Sequence, residues 1–295
     1  MKQIHSKELL ATPPKPIQYL IQDFLPLGTH GDVSGMPDSG KSTILLSMAA
    51  SISIGAPWFG LKASKTPSAW VTGEASGSDV LARDLHRLKV SGEADITFTL
   101  PDDVMFRWAD DQWITTTEGR LVIDKLRAAV IGFVVLDTIG SLCAGLKEID
   151  NDQQRQLARH VKSELNGITT QTISHTNQAS AKEALSWRLH YLSRAGGNGF
   201  PGAQRWAAGV SRLQEQDADV IGIHKDEINN KKLIAIGVSK NNEAPTSCWT
   251  NFTPAIFEIK QDGALLLVKD GREVKAGKKS QTSNDNGGVN DEAWY

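Results

Sequence analysis

Cysteine is nearly missing: Cys143 and Cys248 are the two in 295 residues, and neither stands in metal-ligand spacing. That excludes a disulfide-rich scaffold and a cysteine-built zinc site, and it makes the reducing cytoplasm the expected setting, with a bond between the two cysteines left open. No run of about 18 consecutive apolar residues occurs, which is what a membrane-crossing helix needs. Pro13, Pro14 and Pro16 stand where a signal peptide would carry its apolar centre. Neither membrane insertion nor secretion is expected. A basic surplus is lacking too: 32 Lys and Arg meet 34 Asp and Glu, for a net charge of −2 and a sequence pI of about 6.4. No global positive field holds this chain on duplex DNA, so any contact with nucleic acid has to be local or multiplied by assembly. Internal repeats are absent as well. The length suits one large α/β core with short appendages.

What is present is a phosphate-binding loop. Gly35-Met36-Pro37-Asp38-Ser39-Gly40-Lys41-Ser42-Thr43 fits G-x-x-x-x-G-K-[ST] and follows a predicted strand over residues 29–34. The glycines let the backbone curl so that successive N–H groups point inward. Lys41 reaches the outer phosphates, and the Ser42 hydroxyl is suited to hold Mg²⁺. Ile44, Leu45, Leu46, Met48 and Ala49 continue with helical spacing, so the loop opens a helix over residues 42–54 whose positive end faces a nucleotide triphosphate. ATP with Mg²⁺ is the expected ligand pair. His30 and Asp32 fit poorly in a buried strand.

Three further strands are predicted to end in polar residues on the same sheet edge, the edge where open parallel sheets bind ligands. Residues 68–72 lead to Gly73-Glu74, and Glu74 is placed either to align a water on the γ-phosphate or as an exposed loop acid. Residues 132–138 are apolar up to Asp137-Thr138, a Walker B pattern in which Asp137 holds the Mg²⁺ hydration shell. Residues 169–174 run into His175, a γ-phosphate contact or a structural histidine. Helices are predicted over residues 79–90, 118–130 and 151–166. Phe106, Trp108 and Trp113, set in an Asp-rich stretch, have no assignment, and Trp58 and Phe59 read as core plugs.

Residues 176–202 form a long polar segment with Gly196, Gly197 and Gly199, carrying Lys182, Trp187, Arg188, His190 and Arg194. Loops of this length are functional or disordered, and basic side chains mixed with rings suit single-stranded nucleic acid. Lys182, Arg188 and Arg194 are the candidate DNA contacts; a flexible lid is the other reading. A helix is predicted over residues 202–215, from Trp206, Val210 and Leu213. Strands follow at 220–223, 232–239, 256–259 and 265–268, with a hairpin at Asp262-Gly263. The expected division is an extended arm over 1–17, an ATPase domain over 18–269 and a disordered polar tail over 270–295.

The phosphate loop, Gly73-Glu74, Leu136-Asp137-Thr138, Ser174-His175 and Gly237-Val238-Ser239-Lys240, in that order, resemble the RecA-type core of hexameric ATPases. Their spacing is most similar to plasmid RepA-type replicative helicases, from about Pro13 to about Trp249. The resemblance implies a mostly parallel twisted sheet flanked by helices, and a ring of six subunits moving on single-stranded DNA. A replication initiator or primase is the implied partner. It makes Glu74 the catalytic carboxylate, Asp137 the Walker B acid, His175 the γ-phosphate sensor and Lys240 the lysine that approaches the same phosphate. Arg212 is implied as the arginine finger donated to the neighbouring subunit, with Arg205 as runner-up, because Asn242 stands where related helicases have the arginine of Lys-x-Arg. A paired histidine at the sensor is also missing, since Thr176 follows His175. A nucleotide-switched regulatory ATPase and a filament-forming recombinase are the rival readings.

Overall fold

The computed structural model describes residues 4–11, 13, 15–73, 77–147, 149–194, 197–244 and 247–273. The polar tail beyond residue 273 and Glu74 lie outside the described residues. Nine strands form the main sheet: β1 (His30–Gly35), β2 (Ser68–Thr72), β3 (Ile96–Thr99), β4 (Phe133–Asp137), β5 (Thr169–His175), β6 (Trp206–Arg212), β7 (Lys232–Asn241), β8 (Ala255–Ile259) and β9 (Leu265–Lys269). Their spatial order is β9-β8-β7-β6-β1-β5-β4-β2-β3. Pairing is parallel from β6 to β3 and antiparallel from β6 out to β9. Crossover helices are what parallel neighbours require. They are supplied by α1 (Lys41–Ile54), α2 (Gly77–Arg87), α3 (Thr117–Ala128) and α4 (Asn151–Glu164).

Alternation along each strand sorts the side chains into two layers. Trp70, Phe133, Val135, Trp206, Ala208, Val210, Ile234 and Ile236 face α1, whereas Ala69, Val71, Val134 and Leu136 face α3 and α4. On the α1 side, Phe24, Trp58, Trp206, Trp249 and Phe257 form a continuous aromatic cluster, with Phe24 rings 5.2 Å from Trp58 and 5.4 Å from both Trp206 and Trp249. Each indole finds a polar partner: Ser47 Oγ, the Phe24 carbonyl and Asp270 Oδ1 accept from Trp58, Trp206 and Trp249. The aromatics without a sequence assignment build a small second sheet. Phe106–Ala109 pairs antiparallel with Gln112–Thr115 and parallel with Cys143–Ala144, and Asp110 and Asp111 take the positive φ values of the two-residue turn.

Two expected elements are corrected. Residues 206–212 are a strand, not a helix: Trp206 and Val210 lie four apart, a spacing that shares one face in a helix and in a strand alike. What decides is pairing, since β6 has β1 on one side and β7 on the other. The run expected as a strand at 220–223 is instead the end of a helical turn, Ala218–Ile221, stopped by Gly222 at φ 63. Within the arm expected to be extended, Ser6–Ala11 is a short helix that ends before Pro13. Cys143 and Cys248 are free thiols, and burial pushes the Cys248 thiol up to about 12.

The polar residues of β1 are buried nonetheless. Asp32 accepts from Thr172 Oγ1 and Ser174 Oγ, both at 2.7 Å, so a neighbouring strand satisfies its carboxylate. His30 is 4% exposed, and its Nδ1 has no hydrogen-bond partner among the described residues. Burial, helped by the charge of Lys162, pushes its pKa down to about 4. The unfolded chain takes up this proton near pH 6.5 and the folded chain only near 4, so stability is complete above about 6.5 and is lost as the pH falls towards 4. The expected slope is up to about 1.4 kcal/mol per pH unit in that window. Denaturant melts of the protein and of His30→Gln across the window test this; the variant should lose most of the slope, and an equal slope would place the proton uptake elsewhere.

Candidate nucleotide-binding site

At the end of β1 the backbone makes an approach that tolerates no side chain. A methyl group on Gly35 would stand 2.2 Å from the Val210 carbonyl oxygen and 2.6 Å from Ser39 Oγ. The loop then turns through Asp38 at φ 57, and Ser39 N donates to the Met36 carbonyl at 3.2 Å. Gly40 caps α1 at φ 91, a conformation glycine adopts without strain. The product is a curl of backbone amides on the N-terminus of a 14-residue helix, which attracts anions. Lys41 is buried, and its Nζ donates to the carbonyls of Gly35 at 2.9 Å and Met36 at 2.8 Å. Ser42 and Thr43 follow, half-buried, in the first helical turn.

Strand register brings the other predicted groups to the same edge. His175 ends β5 opposite Gly35. Asp137 ends β4 opposite Thr72 of β2, and Gly73 N donates to the Asp137 carbonyl at 3.1 Å. A Cβ on Gly73 would lie 2.9 Å from the Ser141 carbonyl, so the chain leading to residue 74 passes hard against the segment after β4. Beside the loop opens a cleft of about 220 Å³, walled by residues 36–39, by Ser180 and Arg188, and by Arg212 and Gln214. Lys232 Nζ meets Asp38 at 2.7 Å on its outer lip.

The segment after His175 is not an open lid. It folds into short turns, Ala179–Lys182, Leu185–Arg188, Tyr191–Ser193 and Gly199–Ala203, laid over β6 so closely that a Cβ on Gly209 would meet the Leu189 backbone at 2.4 Å. Two candidate DNA contacts are corrected by this arrangement. Arg188 is buried, paired with Asp217 and among the residues that line the cleft beside the phosphate loop. Arg194 is buried over the Phe200 ring at 5.0 Å. Only Lys182 of the three is exposed. What the segment does present is Trp187, 42% exposed and stacked on His190 with rings 5.4 Å apart and 3° from parallel. Tyr191 continues the stack at 4.6 Å, and Lys240 Nζ stands 5.3 Å from its ring. Burial lowers the His190 pKa.

Arg212 lines the cleft of its own chain, beyond the end of β1. Lys240 is registered with Ala207 and donates to the Gly202 carbonyl at 2.6 Å, towards the other end of β6. Burial and the nearby Arg205 lower its pKa. Arg205 has a relation no sequence pattern announces: its carbonyl accepts from Asn242 N at 2.8 Å, which sets its backbone beside the position of the missing arginine.

The residues fit a nucleotide. Ser39 Oγ and Arg188 Nε and Nη1 are buried without hydrogen-bond partners among the described residues, and a wall of donors asks for an anion. No cluster of three or more His, Cys, Asp or Glu able to hold a metal occurs among the described residues, so Mg²⁺ would depend on phosphate oxygens together with Ser42 and Asp137.

A phosphate loop at the end of a central parallel strand, an acid ending the next strand but one and a helix N-terminus aimed at the loop define a P-loop NTPase core. The family model of the AAA domain matches residues 3–181, more than half of the chain, and the chain belongs to this family of nucleotide-dependent ATPases. Strands β6 to β9 lie beyond the matched residues. No curated protein matches the chain. No helix among the described residues is long and apolar enough to cross a membrane.

Proposed function

We propose that this ATPase is a ring-forming translocase on single-stranded DNA, of the RepA helicase type, serving replication of a plasmid or other mobile element in the cytoplasm. The observation that carries the reading is the ladder of exposed Trp187 and half-buried His190 and Tyr191, on the segment that directly follows His175 and also bears the exposed Lys182. Bases stack on such rings whatever their sequence, and Lys182 meets phosphates. In a ring the modest positive charge of each copy would be multiplied, which compensates for the acidic whole.

In this mechanism the loop amides, Lys41 and Ser39 bind the phosphates, while Ser42 and Asp137 would hold Mg²⁺. Bound Mg²⁺ neutralises charge that develops on the phosphate oxygens. Glu74 aligns the attacking water, and Arg212 adds positive charge from the same chain. Arg205 and Lys240 are the pair that addresses the neighbour's nucleotide, a reassignment supported by their distance from the loop of their own chain. His175 passes the loss of the terminal phosphate to the segment that bears the ladder. A primase or initiator would join the ring from outside.

Steady-state ATP hydrolysis with and without single-stranded DNA tests this, with DNA affinity read in parallel. DNA should stimulate the intact protein, and Trp187→Ala should weaken DNA binding by about 1–3 kcal/mol while basal hydrolysis holds. Hydrolysis indifferent to DNA would remove the translocase reading and leave the nucleotide-switched regulatory ATPase in its place.

A further inference from the structure

Arg188 is a buried cation that its partner only half satisfies. Its side chain is 3% exposed, and Nη2 donates to Oδ2 of Asp217, which is equally buried. Nε and Nη1 have no hydrogen-bond partner among the described residues. The carboxylate is shared, because the same Asp217 oxygen accepts from Gln214 N at 2.7 Å. An arginine keeps its charge at any pH, and leaving its donors unmet in a dry site is costly, so the open side of the fork calls for an acceptor. Arg188 is one of the residues that line the cleft with residues 36–39, Arg212 and Gln214, its Nε and Nη1 lying covered just behind that wall. The one acid in the cleft lining, Asp38, is exposed and engaged by Lys232.

We propose that Arg188 reads the terminal phosphate of a nucleoside triphosphate bound to its own chain. The open side of its guanidinium takes phosphate oxygens, for which the planar fork is well shaped, and the phosphate competes with Asp217 for the cation. This rests on the ATPase reading above and adds a discriminator between tri- and diphosphate. Arg188 also closes the turn Leu185–Arg188, one residue from the exposed Trp187. A change of partner at Arg188 is therefore transmitted to the ladder by a single peptide link.

The test is the ratio of affinities for a non-hydrolysable ATP analogue and ADP, titrated with Mg²⁺ on the full chain. Asp217→Asn keeps the shape and the acceptor for Gln214 N but releases the guanidinium, and the ratio should shift towards the triphosphate by about tenfold. Arg188→Met combined with Asp217→Asn removes both charges without leaving either buried alone, and the ratio should fall about tenfold below that of the intact protein, with ADP affinity little changed. Thermal melts certify that each variant is folded. An unchanged ratio in either folded variant makes Arg188 a structural ion pair and overturns the proposal. Intact protein that binds neither nucleotide would instead sink the ATPase reading itself.

Discussion

Lys41→Ala should lower the turnover of ATP hydrolysis by at least about 10²- to 10³-fold, the loss expected when one preorganised donor to developing charge is removed. The argument starts from where the ammonium is kept. Nζ is fastened to the Gly35 and Met36 carbonyls at 2.9 and 2.8 Å, inside a loop whose shape is set by Gly35 and Gly40 and not by the lysine. Alanine at the first position of α1 suits a helix at least as well as lysine. The fold should survive, with about 1–3 kcal/mol lost because carbonyls buried with the ammonium lose their donor. Phosphate release, nucleotide titration and thermal melting of the variant separate these effects. A folded variant that keeps half of the turnover would show that hydrolysis occurs elsewhere.

The parts of this site that sequence made legible are those where chemistry restricts the residue type. Only glycine fits at positions 35 and 40, and only an apolar run ending in Asp reads as β4 with Asp137. Periodicity fails at β6, where Trp206 and Val210 satisfy two periods at once and Ala207, Ala208 and Gly209 are too small to break the tie. The basic segment misleads for another reason. Charge in a sequence carries no information about burial, and Arg188 finds Asp217 twenty-nine positions downstream, while Arg194 is buried over the Phe200 ring. Nothing local announces either partner. Trp187 was legible as an aromatic among cations, yet its stack with His190 and Tyr191 exists only because the intervening residues turn back on themselves.

Arg205→Ala should cost about 10³- to 10⁵-fold in turnover, the range for an arginine finger, with nucleotide affinity largely kept. Arg205 N lies against the His30 carbonyl at the start of β1, and the phosphate loop begins at that strand's other end. Five residues of strand separate them by about 17 Å, more than an arginine side chain spans, so the guanidinium does not reach its own chain's loop and, in the proposed ring, is available to a neighbouring copy's nucleotide. It is 57% exposed, with Glu243 at a loose 3.9 Å as its ion-pair neighbour. Mixing separates this from a role within one chain. Lys41→Ala and Arg205→Ala, each inactive alone, should regain hydrolysis when combined, because roughly a quarter of randomly formed interfaces in a cyclic ring join an intact loop to an intact Arg205. Lys41→Ala mixed with Arg212→Ala should regain nothing, since Arg212 lines the cleft of its own chain and every chain in that mixture has a damaged site. Recovery in the second mixture and not the first would return the finger to Arg212 and reverse the assignment of the two arginines.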